Sequence, residues 1–300
     1  MLFRKEKHKV PTNPSKDHIP NPSQQDAALQ QTNNKQIQSA MSNNPDHNNI
    51  YAQQAADYDR MIHYEDDELE WKYSVQQVLA TKPYDRIVEL GAGTGRFTRV
   101  VLTEMSNKEW PNGSYIALDA STAMLDQLKS NIECDAFLGK ITAPTAAKLH
   151  IQEAVHHKLP LANHSVDLIV AGWTVCYGVC ELNDREQQVE AIARIMNELT
   201  RVLCPGGRIA IWETLGTGVA APAVPASLQV YIQALEEQYG FHRTELSTSF
   251  RFPSMEEAKY ITNWFFGSTA CDLLTPDIDG SVVLPSYTGL WVWDNNIARH

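Results

Sequence analysis

A chain of 300 residues, 43% hydrophobic and 20% charged, has the composition of a globular protein of one large α/β domain with additions. Its formal charge of −11 is uneven: residues 1–40 hold six Lys/Arg against three Asp/Glu, which leaves 19 basic and 33 acidic side chains, or −14, for the rest. An acidic body excludes nucleic acid and anionic membranes as default partners, because binding to either rests on basic side chains neutralising phosphates. Five scattered cysteines form no disulfide framework, and neither a signal peptide nor an apolar run of membrane-spanning length is seen, so a cytoplasmic protein is the expectation.

In chain order, residues 1–45 are rich in Asn, Gln, Pro and Ser and read as a disordered polar tail. From 46 to 80 the pattern is helical, with Trp71, Val75, Val78 and Leu79 on one face. Short apolar runs then alternate with amphipathic stretches: RIVEL (86–90), a helix carrying Phe97, Val100, Val101 and Met105, SYIALD (114–119), and a helix carrying Met124, Leu125 and Leu128. A strand near 149–155, VDLIVAG (166–172), a helix over about 184–203 and RIAIWE (208–213) complete the series. This alternation predicts a doubly wound, mostly parallel sheet covered on both faces. Asn183 with Glu186, and Ser254 with Glu257, have capping-box spacing; Gly206-Gly207 and Gly240 read as helix stops. Residues 216–300 change character, with a Pro/Ala-rich link, a helix, a strand near FHRTELSTSFRF, a helix over 255–266 and a last strand LPSYTGLWVW.

The first strand opens into VELGAGTGRF, with glycines at 91, 93 and 95 and an acid at Glu89. Dinucleotide loops need a third glycine one residue later, where this chain has Arg96. A glycine loop at a helix N-terminus still offers backbone N–H groups to an anion, whereas Glu89 repels pyrophosphate and attracts an ammonium. That pairing predicts a ligand with both groups, such as an amino acid. Asp119, 24 residues past Gly95 at the end of the second strand, suits ribose hydroxyls. Ribose joined to an amino-acid end describes S-adenosylmethionine.

With these motifs the sequence resembles the class I S-adenosylmethionine-dependent methyltransferases over roughly residues 50–215. HHKLPLANHSVDLIVAG (156–172) is similar to the family's Leu-Pro segment before the fourth strand, and RVLCPGGRIAIWE (201–213) to its Pro-Gly-Gly turn into the fifth. Tyr51, Ala55, Tyr58 and Asp59 match a Tyr-x-x-x-Ala-x-x-Tyr-Asp spacing of the ubiquinone/menaquinone-biosynthesis-like, type 11 branch. The resemblance implies a seven-stranded Rossmann-like sheet with an antiparallel last strand and a helical cap at 46–80. It also implies a cofactor-binding core at 81–215 and a substrate-side insertion at 216–300. The cofactor residues it implies are Glu89, Gly91, Ala92, Gly93, Thr94, Gly95, Asp119, Ala120, Met124, Val155, His156, Gly172 and Trp173, with Tyr51 and Tyr58 from the cap. Val155 stands where the branch has an acid for the adenine amine, which leaves that contact to the backbone near Val155 and His156, or to Glu153. Residues 132–147 exceed the usual connection before the third strand.

Catalytic candidates are Tyr177, Glu213 and His157; adjacent histidines on an extended segment point oppositely, so at most one of His156 and His157 faces the pocket. Cys176, Cys180 and Cys204 raise a thiolate site but lack ligand spacing, so no metal is expected. Trp291 and Trp293 read as core. AGWTVCYG after the fourth strand lacks the Asn/Asp-Pro-Pro-aromatic motif of nucleic-acid amino-methyltransferases, so a small organic acceptor is expected. A silent cofactor-binding scaffold, a protein methyltransferase and a nicotinamide-dependent oxidoreductase are the competing readings. Nothing in the sequence fixes the oligomeric state.

Overall fold

The computed structural model describes residues 47–65, 69–108, 110 and 112–295. The 1–45 segment, for which disorder is expected, lies outside them. Three helices come first, α1 (His47–Gln53), α2 (Ala55–Ile62) and α3 (Glu70–Ala80), where the pattern predicts one helical run and a second helix. Trp71, Val75, Val78 and Leu79 are all buried on α3, as their spacing predicts.

The core alternates β1 (Arg86–Leu90), α4 (Arg96–Ser106), β2 (Ser114–Asp119), α5 (Thr122–Phe137), a short α6 (Ala143–Ala146), β3 (Leu149–Glu153), β4 (Val166–Gly172), the single turn α7 (Tyr177–Cys180), α8 (Arg185–Val202) and β5 (Leu203–Thr217). The long connection at 132–147 is therefore the end of α5, a turn and α6. Asp184 rather than Asn183 caps α8, its carboxylate accepting from Gln187 N at 2.9 Å. An extended residue at the cap is required, and a full negative charge there also complements the helix dipole. At the other predicted box, Ser254 Oγ does accept from Glu257 N, at 3.2 Å.

The C-terminal part supplies α9 (Gln229–Gln233), flanked by 3-10 and π turns, then β6 (His242–Ser247), β7 (Phe250–Phe252), α10 (Met255–Phe265), β8 (Thr275–Pro276), β9 (Val282–Leu284) and β10 (Ser286–Asp294). The main sheet has the order β3-β2-β1-β4-β5-β10-β6, parallel throughout except that β10 runs antiparallel between β5 and β6. A second sheet, β7-β9-β8, has no counterpart in the sequence pattern.

Two apolar clusters pack the two faces of the main sheet, one against α8 and α9, the other against α3, α4 and α5. A third joins the ends of the chain: Ile50, Met61 and Ile62 from α1 and α2 pack with Phe250, Phe252, Ile261, Val282 and Leu284. Helices α1 and α2 and the small sheet therefore share one core and form a single cap, whereas α3, expected in the cap, packs on the main sheet. Trp291 is fully buried, as expected of a core residue, and its indole donates to Glu236 Oε1 at 2.9 Å.

Candidate functional site

The strand order reverses between β1 and β4, and at such a point an open α/β sheet leaves a crevice beyond the carboxyl ends of its strands. The glycine loop lies there. Gly91, Gly93 and Gly95 have φ of +62°, +55° and +96°, a left-handed run that side chains oppose. Gly91 is also fixed by contact, since a Cβ there would sit 1.9 Å from Thr174 Oγ1 beyond β4. Ala92 is buried and its N–H donates to Leu118 O at 2.9 Å, which ties the loop to β2.

Asp119 accepts from Gly93 N on one oxygen and Ser121 N on the other, each at 2.8 Å. Burial raises its pKa, and these two amides oppose the shift. Each carboxylate oxygen keeps a second acceptor site, so the pair of amides orients the acid without exhausting it. From Asp119 a shallow groove continues along Ala120, Glu153, Ala154, Val155, Lys158, Leu159 and Pro160. Ala120 and Val155 are exposed, and Glu153 lies beside Val155 in the groove. Met124 is buried, its N–H donating to Ser121 Oγ at 3.4 Å.

Glu89 differs from expectation. It is 1% exposed, and one oxygen accepts from the hydroxyls of Thr98 and of Tyr115, the latter at 2.7 Å. Desolvation lifts its pKa to about 7 in spite of these donors. The carboxyl braces the loop from below instead of standing open at its mouth, because both of its hydroxyl partners belong to the core face.

His156 is turned inward, Nε2 lying 3.1 Å from Thr174 Oγ1, while His157 is exposed. Burial, helped by His157, drops the His156 pKa to about 4, so the ring is neutral at physiological pH. Trp173, just past Gly172, has a left-handed φ of +49°, a strain of the kind concentrated at functional sites. Its N–H donates to Trp212 O at 2.7 Å, and its ring lies 4.0 Å from the Arg96 guanidinium. Arg96 also pairs with Glu65 of the cap, and Glu65 bridges to Phe250 of the small sheet.

The cap reaches the loop through aromatic and polar contacts. Tyr51 and Tyr177 meet through their hydroxyls at 2.8 Å, and Tyr58 stands edge-on to Tyr51 with ring centroids 5.5 Å apart. Ser121 Oγ donates to Tyr51 O at 2.8 Å. Asn131 Nδ2 donates both to Asp59 Oδ1, at 3.0 Å, and to Thr94 O, at 2.9 Å. No sequence signal marks Asn131, Ser121 or Thr174 as a contact; they are ordinary helix and turn residues, and only the spatial closure of cap on loop gives them a role.

Of the catalytic candidates, Tyr177 alone stands at the cap–loop junction. Its hydroxyl is held well above its ordinary pKa, chiefly by burial, which disfavours the phenolate a base would need. Glu213 is wholly buried between β5 and α9, with Oε1 accepting from Cys176 N at 3.1 Å, so it does not line the crevice as a base would. His157 is exposed. Cys204, at the opposite end of β5 from Glu213, donates to His164 O and has no part in the site. Among the described residues no group of three His, Cys, Asp or Glu could hold a metal ion, and no helix is long and apolar enough to cross a membrane.

Residues 88–211 match the methyltransferase-domain family. Over 139 residues, 46% of this chain and 40% of the other, the sequence is 32% identical to a malonyl-[acyl-carrier protein] O-methyltransferase of Methylococcus capsulatus. It is 27% identical over 143 residues, 48% of this chain and 51% of the other, to a ubiquinone/menaquinone biosynthesis C-methyltransferase of Geotalea daltonii. The chain spans about half the length of the curated relatives it matches. A solved SAM-dependent methyltransferase of Aquifex aeolicus aligns over 73% of this chain and 90% of its own at 15% identity and a TM-score of 0.42. The strand order, with β10 antiparallel between β5 and β6, defines the Rossmann-like fold. Residues 88–211 thus carry a methyltransferase domain, similar to the class I S-adenosylmethionine-dependent methyltransferases of the type 11 branch, whose cofactor is S-adenosylmethionine.

The residues present fit that cofactor. Thr94 Oγ1 and Arg96 Nη1, both buried beside the glycine loop, have no hydrogen-bond partner among the described residues, and both suit the carboxylate of a methionine tail. Asp119 suits the ribose, and the groove at Ala120 and Val155 suits the adenine.

Proposed function

We propose that the protein transfers a methyl group from S-adenosylmethionine to a small organic acceptor by in-line displacement. The bound cofactor supplies an electrophilic methyl carbon on a sulfonium; the protein's own residues bind, orient and exclude water. The loop 91–95, Thr94 and Arg96 hold the methionine tail, Asp119 the ribose, and Ala120, Val155 and His156 flank the adenine. Tyr51, Tyr58 and Tyr177 close over the reacting end, with the 46–80 helices and the 216–300 region forming the substrate side.

Among the described residues, none of Tyr177, His156 and Glu213 is poised as a strong base. Tyr177 is held neutral, His156 is directed at Thr174, and Glu213 is turned into the core. Alignment of the acceptor at near-attack distance in a closed, dry site then carries the rate, an effect of roughly 7–11 kcal/mol when geometry is optimal. The acceptor atom is an oxygen, nitrogen or carbon that is nucleophilic without strong deprotonation. The two relatives named above methylate, by their names, a malonyl thioester carrier and quinone precursors, and acceptors of both kinds belong in the first screen.

The observation that carries this reading is the double clamp on Asp119 by Gly93 N and Ser121 N, which builds a ribose site at the strand-order reversal. Calorimetric titration with S-adenosylhomocysteine tests it. Binding that disappears in Asp119→Ala supports the reading; unchanged affinity in that variant overturns it. A labelled-methyl screen over carboxylates, phenols, quinols and amines then identifies the acceptor, and failure to label any of them favours a silent scaffold or a protein methyltransferase.

A further inference from the structure

Glu213 is a carboxyl with no place in the mechanism above, yet it is wholly buried on β5, and Ile211 and Leu215, two residues to either side, belong to an apolar cluster with Val175, Val179 and Leu228. Burying a carboxyl in such surroundings is costly unless its hydrogen bonds serve something. Its one geometric partner is the backbone. Cys176 N donates to Oε1 at 3.1 Å, while Oε2 has no partner among the described residues. The Tyr231 hydroxyl, on α9, is likewise buried without one and acts on the same carboxyl.

Cys176 is the residue immediately before Tyr177. The turn that contains both is closed by Tyr177 N donating to Thr174 O at 3.2 Å and Cys180 N to Cys176 O at 2.8 Å. One end of the turn thus touches the glycine loop, through Thr174 against Gly91, and the other presents the Tyr177 hydroxyl to Tyr51. Tyr51 in turn is held by Ser121, and Ser121 by Asp119. Glu213 anchors this chain of contacts at its buried end.

We propose that Glu213 is a positioning residue for the cofactor site, fixing the Thr174–Tyr177 turn through the Cys176 amide and so setting the Tyr177 hydroxyl against that of Tyr51. The proposal rests on the reading of the crevice as a cofactor site. The carboxyl suits this role because Oε1 accepts from Cys176 N and the Tyr231 hydroxyl acts on it as a further donor. The titratable groups acting on it are Cys176 and Cys180 from the turn and α7, and Tyr231 from α9. Burial raises its pKa to about 7, so it ionises near neutrality, and the charged carboxylate accepts more strongly from the Cys176 amide and holds the turn more firmly. Cofactor affinity should then rise as pH rises through neutrality.

The test is S-adenosylhomocysteine titration at about pH 6 and about pH 8.5 on the full chain, its Glu213→Gln variant and its Tyr177→Phe variant. The unaltered protein is expected to bind about fivefold more tightly at the higher pH, the worth of roughly one hydrogen bond. Glu213→Gln, which keeps an acceptor and a donor but cannot ionise, should bind equally at both. Tyr177→Phe, which leaves Glu213 in place but removes its output, should bind weakly and with a flat pH profile even if the Gln variant fails to fold. A pH dependence that survives in either variant overturns the proposal and belongs instead to Glu89. Binding by the unaltered protein that does not vary with pH also overturns it. Absence of binding at both values overturns the proposed function itself and this inference with it.

Discussion

Asp119 and Gly93 are joined by a 2.8 Å hydrogen bond from the loop amide to the carboxylate, across two parallel strands. Asp119 therefore has two roles, to offer acceptors to a ribose and to set the glycine loop relative to β2. Asp119→Asn keeps the shape but loses the charge, and a backbone N–H bond to a charged acceptor is worth about 1.5–3 kcal/mol. Asp119→Ala should lower S-adenosylhomocysteine affinity by at least roughly 30-fold, and Asp119→Asn by an intermediate factor. Equal losses in the two variants, read by calorimetry, would mean that charge rather than shape governs the site.

Gly91 faces Thr174 at a distance that admits no side chain. Gly91→Ala combines a left-handed φ of +62° with a Cβ 2.4 Å from Thr174 Cβ, so trimming the threonine to alanine does not relieve it. The expected cost is about 2–4 kcal/mol, with little recovery in the double variant Gly91→Ala/Thr174→Ala. Gly91→Ala/Thr174→Gly should recover more. Chemical denaturation midpoints of the three proteins give the comparison.

The centre of the main sheet is legible in the sequence because its inner strands are buried on both faces: VDLIVAG and RIVEL occupy β4 and β1 residue for residue. The small β7-β9-β8 sheet is not, since β8 is two residues long and β7 and β9 three each, too short to display a period. In the site, the glycines and Asp119 announce themselves by type and spacing, and their places follow from local strand–turn–helix geometry. The orientation of Glu89 is the reverse of the one its charge suggests. A carboxylate at a strand end has two faces to choose from, and Thr98 and Tyr115, nine and 26 residues away, draw it into the core. The cap contacts are invisible in the sequence for a similar reason, as Asn131 reaches Asp59 across 72 positions.

Arg96 stacks on Trp173 and pairs with Glu65, so it fastens the cap to the loop by a geometry that lysine does not reproduce. Arg96→Lys should leave the main sheet intact while freeing the cap. Limited proteolysis should then cut within 47–65 several times faster than in the unaltered protein, and bound S-adenosylhomocysteine should protect less. Unchanged cleavage in Arg96→Lys would assign the closure of the cap to the Tyr51–Tyr177 and Asn131 contacts alone.

Glu89 and Glu213 give the stability a pH dependence of defined sign. Both have folded pKa values near 7 against ordinary values of 4.5, so the folded state binds more protons than the unfolded one between those limits. Stability must then fall as pH rises from about 4.5 to about 7 and level off above, each group contributing on the order of 3 kcal/mol. His156 acts oppositely: with a folded pKa of about 4 it is held neutral, and it costs stability as pH falls below its ordinary 6.5. Variants separate the two signs. Glu89→Gln keeps an acceptor for Thr98 and Tyr115, and its denaturation free energy should drop less between about pH 5 and about pH 7 than that of the unaltered protein. His156→Gln should change the slope in the other direction. If Glu89→Gln leaves the slope between these values untouched, its carboxyl is ionised in the folded state at acid pH and the two hydroxyl donors outweigh its burial.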